Sequence, residues 1–372
     1  FVRINSQGKT LNQADFILTL MSVFWDEGRT DLERFCHETR TPDMKAASAF
    51  NYIITPSPDQ MLRVSVGLCF KRAVLKYVYS ILRGKDLETG NFSEERREFE
   101  LLKEANKKVL DITNWHEYLK CIKQAGYIKG DIISSKTTII YVYTMFLIGR
   151  EEYKMDMFEL RKLISQWFFM CIITGRYTGS PESQMEFDLS QLRGIYSVEQ
   201  FKNVLLNIIN TKFTDDFWNI TLPNNLATSS ATSPSMYAYY ASLNILNADG
   251  LFSKMKVHDL LQEGLRSKKS PLEIHHLFPK AYLISIGITE QQQTNQIANY
   301  ALVEWSDNIK IADTAPAEYL PKYLSRLTQE QQKQQYYWHA LPEGWEHMNY
   351  FEFLKQRRIL MAQTVKEAFS TL

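Results

Sequence analysis

From Gln60 to Leu82 apolar residues recur at helical spacing (Met61, Val64, Val66, Leu68, Phe70, Val74, Val78, Leu82), with Arg63, Lys71, Arg72 and Lys76 between them. That stripe predicts one amphipathic helix with its apolar side in a core. The same period predicts helices over roughly 133–149, 156–174 and 197–211, and over the run from Leu11 to Trp25. The opening residues FVRI read as a strand, and Asn5–Gly8 as a turn, with Thr10 or Asn12 able to cap the helix that follows. Ser93–Asp111 carries mixed charges at helical spacing and reads as a solvated helix face. Strand signals are nearly absent from 11 to 245.

Leu222–Ser235 (LPNNLATSSATSPS) interrupts this pattern: rich in Pro, Asn, Ser and Thr and uncharged, it is expected to be a surface loop or an interdomain linker. A helix over Tyr237–Leu246, a turn at Asn247–Gly250 and a mixed segment to Leu265 come next, and helical periodicity returns from Gln329. The expected class is mostly α, with a small α+β part near the C-terminus. The aromatic groups Trp167–Phe169 and Tyr336–Trp338 read as core.

At 372 residues the chain exceeds one ordinary core, and 45% apolar with 13% aromatic residues excludes a disordered polymer. Lys and Arg total 43 against 42 Asp and Glu, a net charge of +1, which excludes coating of nucleic acid by bulk charge but not a local basic groove. The cysteines (36, 69, 121, 171) lie far apart without a CxxC pair, so neither a disulfide framework nor a zinc ribbon is expected, and a reducing cytoplasm is the default location. The stretch Thr137–Gly149 falls short of the ~18–20 apolar residues a bilayer span needs, so no membrane partner is expected. With Phe first and no signal peptide, the chain reads as starting inside a longer protein.

Two apparent motifs carry nothing, and a third is missing. Gly8-Lys9-Thr10 resembles the end of a phosphate-binding loop, but Arg3 stands where the first glycine is needed. No GxSxG nucleophile turn occurs. Cys36 and His37 are adjacent, so their side chains diverge on any regular element.

One segment concentrates chemistry. In Ser270–Lys280 (SPLEIHHLFPK), His275 and His276 are adjacent, and on a strand they face opposite ways. After some 20 residues comes IANYALV (297–303), a loop leading into a second strand, and then WSDNIK (305–310), opening a helix or turn. Taken singly, Asn299 is a natural turn former and Asn308 a natural helix cap. Their joint spacing with His276, eight residues separating the two asparagines, sets them apart. His37, His116, His258, His339 and His347 lack such partners and read as structural, His258 being the one to revisit if it lies near His276.

The order His276, Asn299, Asn308 resembles the HNH, or His-Me finger, nuclease motif over roughly residues 236–325. HHLFPK, NYALV and DNIKI each match. FVRINSQGKTLNQADF resembles the end of the ParB-like N-terminal domain of GmrSD-type restriction proteins, and Arg176–Ser180 with Glu182 and Ser183 resembles the helical segment between their two modules. That family's DGQQR nucleotide motif is absent, as expected if it lies upstream of Phe1, so any nucleotide use belongs to the missing N-terminal part. The resemblance implies four segments: 1–50, the end of that domain; 51–235, helical; 236–328, a ββα-metal nuclease module; and 329–372, a helical tail.

By this resemblance His276 is the general base and Asn299 orients its ring, fixing the tautomer. His275, with Asn308, holds a divalent metal, Mg²⁺ or Mn²⁺, and Glu273, two residues earlier on the same strand face, is a reserve ligand. An imidazole titrating near neutrality suits a base, and two neutral ligands leave positions for water and phosphate. A histidine ligand softens the site toward Mn²⁺, Ni²⁺ or Zn²⁺ in vitro. Lys268, Lys269, Lys280 and Lys310 cluster around the motif as phosphate contacts. The expected function is metal-dependent cleavage of double-stranded DNA in restriction of modified or foreign DNA. Two rivals stand: a catalytically inactive or regulatory DNA-binding protein, and an RNase or toxin built on the same finger. The modification recognised and the oligomeric state, a homo-oligomer included, stay open.

Overall fold

The computed structural model describes residues 25–42, 47–83, 95–230, 232–261 and 272–372. The expected FVRI strand, the turn at Gly8, Lys268 and Lys269 lie outside the described residues, as does nearly all of the Leu11–Trp25 helix. The described chain is mostly helical, with one small two-stranded sheet. No helix among the described residues is long and apolar enough to cross a membrane.

The chain divides into two compact units, Phe1–Cys121 with Ser135–Ile208, and Ile122–Ser134 with Ile209–Leu372. This division cuts across the four segments expected from the sequence.

The first part of the chain runs through α1 (Asp26–Glu38), α2 (Pro58–Phe70), α3 (Leu75–Leu82), α4 (Glu95–Val109), α5 (Ile112–Gln124), α6 (Lys136–Leu147), α7 (Met157–Ile173), α8 (Pro181–Gln191) and α9 (Val198–Lys212). In α6 every residue from Thr138 to Leu147 is buried, as a helix apolar on all sides requires. Trp115 and Tyr118 of α5 pack against Tyr143 and Phe146 of α6, with ring centroids 4.9–6.3 Å apart. Their hydroxyls stay satisfied by donating to backbone carbonyls, Tyr118 to Ile139 at 2.5 Å and Tyr143 to Val109 at 2.8 Å. Trp167, Phe168 and Phe169 are wholly buried.

The single helix expected over 60–82 is two. Lys71 turns left-handed (φ 49°) and the chain leaves helical geometry until Leu75. The cause lies on α8: the Glu186 carboxylate accepts from the backbone N–H of Ala73 (2.7 Å) and Val74 (3.2 Å) and pairs with Arg72 and Arg193. A carboxylate from elsewhere in the unit thus takes the donors a continuous helix would have used internally. The Arg176–Ser183 segment is anchored beside it. Arg176 forks onto buried Asp188 (2.9 and 2.5 Å), and Tyr177 donates to the same carboxylate at 2.6 Å.

The rest of the chain runs through α10 (Leu222–Asn225), α11 (Pro234–Ile245), α12 (Val257–Leu261), β1 (Leu272–His276), α13 (Lys280–Ser285), α14 (Gln291–Thr294), β2 (Tyr300–Glu304), α15 (Trp305–Ile311), α16 (Pro316–Leu324), α17 (Gln329–Trp338) and α18 (Tyr350–Thr371). The expected loop over 222–235 is partly helical: α10 continues a π-helical turn at Phe217–Thr221, and Leu222 and Leu226 are fully buried. Polar composition there hid two leucines that tie the segment to the second unit. Helix α18 packs along α11 and reaches the turn before β2.

Candidate functional site

Strands β1 and β2 pair antiparallel, with His275 opposite Ala301 and His276 opposite Tyr300. Because strand side chains alternate, the adjacent imidazoles enter different surroundings. The His275 ring is 3% exposed and meets Tyr319 of α16 edge to face, with ring centroids 6.0 Å apart. The His276 ring is half-buried against its cross-strand partner Tyr300, at 4.9 Å and 85°.

Helix α15 starts directly after β2 and carries Asn308 back toward β1. There His275 Nδ1 and Asn308 Oδ1 lie 2.7 Å apart. His275 Nε2 is buried without a hydrogen-bond partner. Burial is the main force on this imidazole and pushes its pKa down to about 4; Asn308 opposes the shift and the neighbouring His276 adds to it. As a neutral ring it donates from Nδ1 to Asn308 Oδ1, and its lone pair sits on the buried Nε2.

The chain turns immediately after the two histidines, and Asn299 holds the turn. Its Oδ1 accepts from the Phe278 N–H at 2.8 Å, and its Nδ2 donates to the Phe278 carbonyl (2.9 Å) and to that of Thr294 (3.4 Å). This corrects the expectation that Asn299 orients the His276 ring. Its amide is spent on backbone groups that no strand partner satisfies, and the ring's contact is Asn295, whose Oδ1 lies 3.2 Å from His276 Nε2. Tyr319 completes the turn by donating to the Leu277 carbonyl at 2.7 Å.

Behind the turn stands Arg357 of α18, fully buried. Its Nη1 donates to the Ala298 carbonyl at 2.7 Å, while Nε and Nη2 donate to that of His339 at 3.2 and 3.1 Å. Burial lowers its proton affinity, and the surrounding tyrosines Tyr239, Tyr240 and Tyr319 oppose that.

Of the predicted site residues, His275 and Asn308 are brought together, with His276 next to them on the opposite strand face. Glu273 lies in β1 opposite Val303. Lys280, exposed in the first turn of α13, acts on His276: burial chiefly lowers that imidazole's pKa, Asn295 opposes the shift and the Lys280 charge reinforces it. Lys310 is exposed on α15. His258 is exposed on α12 beside Asp259. Asn308 lies inside α15 and is not its cap, which is Glu304. Asn295, Tyr319 and Arg357 escaped the sequence reading. Asn295 sits in QQQTNQ, indistinguishable from a polar loop, and Arg357 in KQRRIL, which looks like a solvated face.

Among the described residues no three His, Cys, Asp or Glu side chains gather into a metal cage. The donor set on offer is instead one imidazole nitrogen and one amide oxygen. No family model, curated protein or solved structure matches this chain.

Proposed function

We propose that residues 236–328 act as an HNH, or His-Me finger, nuclease module that hydrolyses DNA phosphodiester bonds with a divalent metal. The observation that carries this reading is the 2.7 Å approach of His275 Nδ1 to Asn308 Oδ1, with a second imidazole on the next residue. With the hydrogen between them displaced, this imidazole nitrogen and amide oxygen would suit a divalent ion that keeps most of its coordination for water and phosphate. Asn308 Oδ1 accepts from His275 Nδ1–H, so Nδ1 would take a cation only once its hydrogen moves to the unpartnered Nε2. The nitrogen donor tilts the preference from Mg²⁺ toward Mn²⁺.

When bound, the ion would neutralise charge on the phosphoryl oxygens and assist the leaving oxygen. His276, half-buried and with its proton affinity lowered chiefly by burial, takes the proton from the attacking water. Asn299 keeps the Phe278 peptide in place, so that the two imidazoles stand at the end of a rigid strand. Lys280 and Lys310, both exposed, are suited to phosphate contacts. A role in restricting modified or foreign DNA, as in GmrSD-type proteins, rests on the sequence resemblance alone.

The test is cleavage of supercoiled plasmid and of structured RNA, in parallel, by the full chain with Mg²⁺ or Mn²⁺. Plasmid nicking that disappears in His276→Ala is the expected result. Cleavage that survives the substitution defeats the assignment, and cleavage of RNA alone replaces the substrate.

A further inference from the structure

His276 Nε2 lies 3.2 Å from Asn295 Oδ1. A carboxamide oxygen has no hydrogen to give, so this contact is a hydrogen bond only when Nε2 carries the imidazole hydrogen. A neutral imidazole has one N–H, and its lone pair then sits on Nδ1. Tyr300, edge to face with the ring at 4.9 Å, limits the rotations that would exchange the two nitrogens.

Asn295 is itself held. Its backbone N–H closes helix α14 by donating to the Gln291 carbonyl at 3.0 Å. The residues on either side of it are both tied to Asn299: the Thr294 carbonyl accepts from the Asn299 side chain (3.4 Å), and the Gln296 carbonyl from the Asn299 N–H (2.8 Å). Asn299 thus braces the loop that presents Asn295, as well as the peptide after the histidines.

We propose that Asn295 is the positioning residue of this site, selecting the Nε2–H tautomer of His276 and so making Nδ1 the basic nitrogen. That Nδ1 then serves a nuclease rests on the reading above; the tautomer selection does not. Asn299 acts at one remove, through the loop.

The experiment uses the full chain with ¹⁵N-labelled histidine, at a pH where His276 is neutral, and reads the ring nitrogens by long-range proton–nitrogen correlation. In the wild type, Nε2 is expected to show the protonated signature and Nδ1 the lone-pair signature. Asn295→Ala is expected to shift both toward a tautomer average. Asn295→Asp, which keeps an acceptor oxygen, is expected to retain the wild-type pattern and serves as the control for folding. A hydrogen on Nδ1 in the wild type, or identical spectra for wild type and Asn295→Ala, overturns the proposal.

Plasmid cleavage forms the second arm. Losing one hydrogen bond predicts a fall in kcat of about 3- to 10-fold for Asn295→Ala with KM unchanged, and a smaller loss for Asn295→Asp. Unaltered kcat in Asn295→Ala overturns the positioning role. If the tautomer pattern moves as expected while the wild type cuts no DNA, tautomer selection stands and the nuclease reading falls.

Discussion

His275 Nδ1 and Asn308 Oδ1 meet at 2.7 Å across 33 positions of chain. The contact joins the buried face of β1 to the helix that follows β2, and neither element could hold the pair alone. If this is a ligand edge, Asn308→Ala should weaken Mn²⁺ binding by at least the ~10- to 100-fold that loss of a supporting partner costs. Isothermal titration of the full chain with Mn²⁺ measures this, and equal affinities would place the cation elsewhere.

His276 stands on the other strand face, so its removal should separate chemistry from metal binding. His276→Ala is expected to cut the cleavage rate by about 10²–10⁴-fold, the usual weight of a general base. Mn²⁺ affinity should hold. A parallel collapse of both would mean that the substitution unfolds the turn.

Arg357 satisfies the Ala298 and His339 carbonyls from inside the second unit. Arg357→Met leaves both acceptors unpaired, and each such loss costs about 1–3 kcal/mol. Urea unfolding should show that destabilisation, and plasmid cleavage should fall with it because Ala298 precedes Asn299.

Acid should weaken the second unit. His339 is fully buried and donates from Nε2 to the Asp249 carbonyl at 2.9 Å; burial, with help from Arg357 and against that hydrogen bond, lowers its pKa from 6.5 to about 3. The unfolded chain therefore binds the extra proton first. The stability this neutral imidazole contributes is whole above pH 6.5 and is lost as pH falls toward 3, with a slope of about 1.4 kcal/mol per pH unit for one group. Urea midpoints of the wild type and His339→Gln between pH 7 and 4 should converge as pH falls. A constant difference would refute the assignment.

Gly126 has φ +84°, and a methyl group there would lie 2.1 Å from the Ala241 carbonyl oxygen of α11. Asn244 reinforces the approach by donating to the Gly126 carbonyl at 2.7 Å. Gly126→Ala combines a disfavoured backbone with a steric clash and should destabilise by about 2–4 kcal/mol, read as a lowered Tm. Wild-type Tm would mean that this chain crossing is loose.

Three of the long helices were legible because their cause is local. Apolar spacing within a few turns predicts helices over roughly 133–149, 156–174 and 197–211, and they form at Lys136–Leu147, Met157–Ile173 and Val198–Lys212. Alternation along a strand likewise separates His275 from His276, and their separate environments follow. Where a distant group intervenes, local reading fails. Glu186 breaks the helix expected over 60–82, and two leucines fold a polar-looking loop into the second unit.

The sequence alone determined the helical class, the strand bearing the paired histidines and the asparagines that accompany them. Only the tertiary structure decided which asparagine serves which group: Asn308 meets His275, Asn295 meets His276, and Asn299 clamps a backbone turn. It also decided that Arg357 lies inside rather than in solvent. Periodicity is written within a turn or two of chain. The partner of a polar side chain is set by which long-range packing leaves a donor or acceptor otherwise unmet, and that is known only once the chain has closed on itself.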